Sequence, residues 1–198
     1  MGARTISLLV EVISALGVIG ALVFSGIQIR RSVREERIRD AERRRDAALD
    51  LQRMMLIEGA AAEAVRRMSG RLRAVGIERY SVPTWYLIHD ADLQPKGLLD
   101  PSLEGRETAF SDYYRILAFY QRCDLALRDQ LVDAETLFEL IGFNLWWWSQ
   151  AFRSVTSAEA LRSVQEVGGK AWAWAVAQRR DQAWRARCVT DFNAGPAS

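Results

Sequence analysis

Residues 6–29 read ISLLVEVISALGVIGALVFSGIQI. Glu11 is the one charged residue among these 24, and a helix of that length, rising ~1.5 Å per residue, covers the roughly 30 Å hydrocarbon core of a bilayer with some tilt to spare. With successive residues about 100° apart, Ser7, Glu11, Ser14, Gly17, Ala21, Ser25 and Gln28 fall within an arc of about 120°. Leu8, Leu9, Val12, Ile13, Leu16, Ile19, Val23, Phe24 and Ile27 occupy the rest of the circumference. Hydrocarbon satisfies no polar group, whereas small residues let a second backbone approach and hydroxyls bond across the contact. The stripe is therefore expected to bind other transmembrane helices, those of a larger membrane complex or of a second copy of this chain. Glu11 lies near enough to one end of the run to reach the interface.

A cleaved signal peptide is the competing reading, because Val23 and Ser25 mimic the small residues that precede a cleavage site. Flanking charge argues for a retained anchor. Arg30, Arg31, Arg34, Arg37, Arg39, Arg43, Arg44 and Arg45 follow the run, against Arg4 before it. By the positive-inside rule this asymmetry keeps the C-terminal side in the cytoplasm and sends the N-terminus across. The organisation expected is a short non-cytoplasmic tail (1–5), a transmembrane helix (6–29), an Arg-rich juxtamembrane helical stalk (30–46), a cytoplasmic helical domain (47–190) and a flexible tail (191–198). Arg30, Arg31, Arg34 and Arg37 are placed to meet anionic lipid headgroups. Along the stalk, Glu35 to Arg39 and Asp40 to Arg44 have the favourable acid-first spacing of four.

A net charge of +2 spread over 198 residues gives no basis for nucleic-acid binding, since the basic residues gather beside the apolar run. Cys123 and Cys188 are the only cysteines and lie far apart, as befits reduced thiols. His89 is the only histidine, which excludes a multi-histidine metal centre.

The remaining pattern predicts an all-α fold: the anchor helix continuing through the stalk into a helical bundle. Gly59 interrupts the first helix, and residues 60–68 form another that ends before Gly70. Between 78 and 107 Pro83, Pro95, Pro101, Gly97 and Gly105 break any periodicity, with Thr84 as a cap for a short helix over 85–92. Such an irregular segment is the place for a ligand or partner loop. His89, Asp90 and Asp92 fall within it, but one imidazole and two carboxylates so close together lack the separated ligands of a metal site or an acid–base pair. Residues 110–129 form an amphipathic helix with Cys123 on its apolar side. Asp133 caps a helix running to about Arg153, Thr156 and Glu159 make a capping box for the next, Gly168 and Gly169 stop it, and residues 170–187 form the last.

The helix after Asp133 is apolar around most of its circumference, as suits the centre of a bundle. Trp146, Trp147 and Trp148 within it span about 200° of arc and do not share one face. At least one ring is expected to leave the core direction, towards Trp172, Trp174 or Trp184, a membrane interface or a partner's pocket.

The apolar run ISALGVIGALVFSGIQIRR (13–31) with its Arg-rich continuation, and the helix–turn–helix of residues 114–139 around DQLVDAE, resemble a broad group of uncharacterised bacterial single-span membrane proteins. These have an N-terminal transmembrane helix, an Arg-rich juxtamembrane helix and a helical cytoplasmic domain. The likeness covers roughly 70 residues and is mostly compositional. It implies a topology and a bacterial inner-membrane location, and imports no activity. The Pro-containing segment and the tryptophan triplet depart from the group's pattern.

No phosphate-cradling glycine loop, nucleophile elbow or CxxC pair is present, so no cofactor is expected. The reading favoured is a non-catalytic accessory or structural subunit that packs against other transmembrane helices and braces the cytoplasmic side of an assembly. The alternative is a membrane-tethered sensor or small enzyme that binds a ligand through residues 78–107.

Overall fold

A computed structural model describes residues 3–77, 88–99, 108–155 and 161–189; the side chains of residues 3–21 and 23 lie outside the description. Among the described residues the chain is all-α: α1 (Ala3–Leu56), α2 (Ala60–Ala74), α3 (Asp90–Leu93), α4 (Ala109–Arg128), α5 (Ala134–Ala151), α6 (Leu161–Ala177) and α7 (Asp181–Val189). The chain divides into two compact units, Met1–Arg43 and Arg44–Ser198.

In the first unit, whose described residues all belong to α1, every described side chain from Phe24 to Arg39 is exposed. No helix among the described residues is long and apolar enough to cross a membrane; most side chains of the run 6–29 fall outside that set. The ion pair found here joins Asp40 to Arg43 at 3.5 Å. It replaces the expected pairs Glu35–Arg39 and Asp40–Arg44. Long exposed side chains gain little from any one pairing in water, so sequence spacing decides weakly between partners.

The second unit is a helical bundle. α1 ends where the backbone N–H groups of Ile57 and Glu58 both donate to the Arg53 carbonyl, at 2.9 and 3.0 Å. α2 does not stop before Gly70. A glycine inside a helix costs only about 1 kcal/mol, and burial of Met68 and Leu72 on either side outweighs it. The stop comes at Gly76, whose φ of 84° suits glycine; beyond it the Ile77 N–H donates back to the Leu72 carbonyl at 2.9 Å.

α4 is capped by Thr108, whose hydroxyl accepts from the Ser111 N–H at 3.1 Å. Asp133 caps α5 as its spacing predicts, accepting from the Thr136 N–H at 3.0 Å. The Asp133 N–H in turn donates to the Arg44 carbonyl at 3.1 Å, fixing the start of α5 to α1 within this unit.

α5 is the core helix: Leu137, Phe138, Ile141, Leu145, Trp147 and Trp148 are all buried. The Tyr120 hydroxyl of α4 donates to the Leu145 carbonyl, and Trp148 stacks on Phe152 with ring centroids 5.3 Å apart. α6 overturns another expectation, because it runs straight through Gly168 and Gly169. A Cβ at Gly168 would collide with the Ser149 side chain of α5, so the glycine permits close helix packing instead of ending the helix. The predicted single helix 170–187 is divided. α6 ends at Ala177, Arg179 takes a φ of 56°, the Arg180 N–H returns to the Ala175 carbonyl at 2.7 Å, and α7 begins at Asp181. The Thr156 and Glu159 capping box lies outside the described residues.

Candidate functional site

Three groups of residues singled out by sequence meet different surroundings. On the stripe, the side chains of Ser7, Glu11, Ser14, Gly17 and Ala21 lie outside the description, while Ser25 and Gln28 are exposed. Around them Leu22, Phe24, Ile27 and Ile29 are 67%, 61%, 47% and 63% exposed. Arg30, Arg31, Arg34 and Arg37 follow, all exposed. Large apolar side chains are thus exposed on opposite sides of this helical stretch, Leu22 and Ile29 on one and Phe24 and Ile27 on the other, and cations follow along the axis.

The tryptophan triplet turns inward. Trp147 and Trp148 are buried, and their rings meet edge to face at 4.6 Å. Trp146 leaves that direction to stack on Trp172 of α6 at 4.9 Å, beside Trp184 of α7 at 6.0 Å. It is the only ring of the three that stays half-exposed. Arg185 lies over Trp172, with its guanidinium 5.1 Å from the ring centroid, and completes the cluster.

Within the irregular segment, residues 78–87 and 100–107, including Thr84, lie outside the described residues. The described remainder has structural duties. The Asp92 carboxylate accepts from the His89 backbone N–H at 2.9 Å, Ile88 N–H donates to the Ala151 carbonyl at 3.2 Å, and Leu93 and Leu99 are buried. Among the described residues no cluster of His, Cys, Asp and Glu is fit to hold a metal ion. Burial pushes the Cys123 thiol far above its ordinary range, so it stays protonated and is no nucleophile.

Two features of α2 escaped the sequence reading. The first is a buried ionic knot. Asp112 of α4 is fully buried, and Arg67 reaches its carboxylate with Nε at 3.0 Å and Nη2 at 2.8 Å. Arg71 donates to the other carboxylate oxygen, and Arg115 stands 3.9 Å away. The second is a groove of about 350 Å³ on another face of α2. Met55, Leu56, Val65, Leu72, Trp147 and Trp148 supply its apolar wall. Arg66, Ser69 and Arg73 of α2, with Asn144 of α5, supply its polar margin.

The groove's two arginines differ from those of the knot. Arg66 donates to the Ile57 carbonyl at 3.3 Å and Arg73 to the Ser69 carbonyl at 3.3 Å. Neither faces a carboxylate among the described residues. A signal for this was present in the sequence: α2 carries Arg66, Arg67, Arg71 and Arg73 against Glu63 alone, so its own acids leave the helix cationic. Helical spacing then sorts 66, 69 and 73 onto one face and 67 and 71 onto another.

Comparison with protein-family models, with curated proteins and with solved structures finds no match.

Proposed function

We propose that this chain is a non-catalytic, single-pass membrane protein that serves as an accessory or structural subunit. The observation that carries the reading is the exposed set Leu22, Phe24, Ile27 and Ile29, followed by Arg30, Arg31, Arg34 and Arg37. Large apolar side chains exposed around a helix in this way favour contact with lipid or protein over water, and the cations that follow them suit anionic headgroups. Residues 6–29 are the anchor, with the N-terminus outside the bacterial inner membrane and the helical bundle in the cytoplasm. The stripe through Gly17, Ala21 and Ser25 packs against other transmembrane helices. Membership of the bacterial single-span group resembled by residues 13–31 and 114–139 belongs to the same reading.

Mild detergent extraction followed by identification of co-purifying chains tests it. A stable complex, or a defined homo-oligomer, is the expected result; a lone monomer overturns the subunit role. Gly17→Leu or Ala21→Leu should weaken the association and leave insertion intact, because bulk blocks close helix approach but keeps hydrophobicity. Cysteine labelling should find position 4 outside and residues 30–46 inside. The reverse pattern overturns the orientation.

A further inference from the structure

The groove beside α2 has the composition of a ligand site, and it lies wholly within the second unit. Its volume of about 350 Å³ falls in the range of small-molecule pockets. A groove at the small end of that range suits one alkyl chain better than the two of a phospholipid. Its two sides ask for different chemistry. Met55, Leu56, Val65, Leu72 and Trp147 offer hydrocarbon and an aromatic ring. Arg66, Ser69 and Arg73 lie in line on α2, with Ser69 about 5 Å along the axis from each arginine.

On α2 one arginine pair, Arg67 and Arg71, has its counter-charge built into the fold as Asp112. The other pair, Arg66 and Arg73, is held among the described residues by backbone carbonyls alone. Those are neutral acceptors that an anion can displace, since charge-assisted hydrogen bonds are about twice as strong as neutral ones. From this contrast we propose that the groove binds a single-chain anionic amphiphile of the fatty-acid class. Its carboxylate sits between Arg66, Ser69 and Arg73, and its alkyl chain lies along Met55, Leu56, Val65 and Leu72 against Trp147. Such a ligand supplies both a counter-charge, which the described residues do not, and the apolar complement. The inference is independent of the membrane anchor.

Titration of the full chain in nonionic detergent with dodecanoate, followed by tryptophan fluorescence, tests the proposal through Trp147 and Trp148. Dodecanoate should give a saturable change, with dodecanol and acetate each binding at least about tenfold more weakly. The double variant Arg66→Gln with Arg73→Gln should lose about tenfold in dodecanoate affinity and leave dodecanol unchanged. Both positions are exposed, so the fold should survive; Arg66→Lys with Arg73→Lys should retain most of the affinity. Equal binding of dodecanoate and dodecanol, or dodecanoate binding indifferent to the Gln pair, would mean partition into detergent and overturn the proposal. Acetate binding as tightly as dodecanoate would overturn it by showing a free-anion site with no use for the apolar wall.

Discussion

Residues 24–39 and residues 44–56 belong to the same helix, α1, yet their side chains meet opposite conditions. In the first stretch all side chains are exposed, Phe24, Ile27 and Ile29 included. In the second Ala48, Leu51 and Met55 are buried among the residues of the bundle. Helical periodicity is shared, so the difference lies in what surrounds each stretch. The bundle carries the apolar complement for its part of α1 in its own sequence. The N-terminal part has none among the described residues of this chain, and the proposed anchor places that complement in lipid and in partner helices.

Substitutions that disturb packing should therefore cost stability in residues 44–198 and almost nothing in residues 22–43. The largest loss is expected for Asp112→Ala. Removing the carboxylate leaves Arg67 and Arg71 facing each other without their shared anion, and breaking a buried ionic group costs about 3–5 kcal/mol. Denaturant unfolding checks this, and an unchanged midpoint would remove the knot from the account of the bundle's stability.

Next come the two adjacent glycines of α6. Gly168→Ala drives a methyl group into Ser149 and should cost about 2 kcal/mol. Gly169 has open space at its Cβ, so Gly169→Ala should stabilise the protein by about 0.5–1 kcal/mol through helix propensity. Thermal melts of the two variants should shift in opposite directions; a shift the same way would contradict the packing described for α5 and α6.

Asp133→Ala removes the α5 cap and should cost about 1 kcal/mol at neutral pH. Hydrogen bonds from the Thr136 hydroxyl and N–H hold this carboxyl below the usual carboxylate range, with Arg45 and Arg44 adding to the effect. The folded pKa is thus below the unfolded value of about 3.9, so the stabilisation is complete above about pH 4 and fades as pH falls through the folded pKa. Wild type and variant should converge in acid; a gap that widens there would contradict the assignment. The smallest effect is expected for Asp40→Ala. Its partner Arg43 is exposed, and melting of the bundle should not change measurably.

Much of this architecture was legible in the sequence because capping is local chemistry. Asp133 needs only Thr136 three residues on, and the apolar circumference of residues 137–152 announces a core helix. Gly168 misled because its meaning depends on what lies across from it, and Gly70 and Gly169 because packing of their neighbours outweighs the small cost of a glycine inside a helix. Ser149, which explains Gly168, is 19 residues away in sequence. The groove and the knot were hidden for the same reason. Asp112 reads as the polar face of an amphipathic helix until α2 is packed against α4, and Arg66 and Arg73 gain meaning only beside Met55 and Trp147. The tryptophan triplet was half legible. Its arc predicted that one ring must diverge, and Trp146 does, onto Trp172 and Trp184.

The explanation proposed for the contrast within α1 is that residues 6–29 enter a bilayer, and one fractionation tests that most directly. Membranes from cells producing the full chain are washed in alkaline carbonate and floated on a density gradient, beside a variant carrying Leu16→Arg and Ile19→Arg. The full chain should float with the lipid, and the variant, whose insertion is opposed by two charges at the centre of the span, should be recovered in the soluble fraction. Recovery of the unaltered chain in the soluble fraction would contradict the proposed anchor.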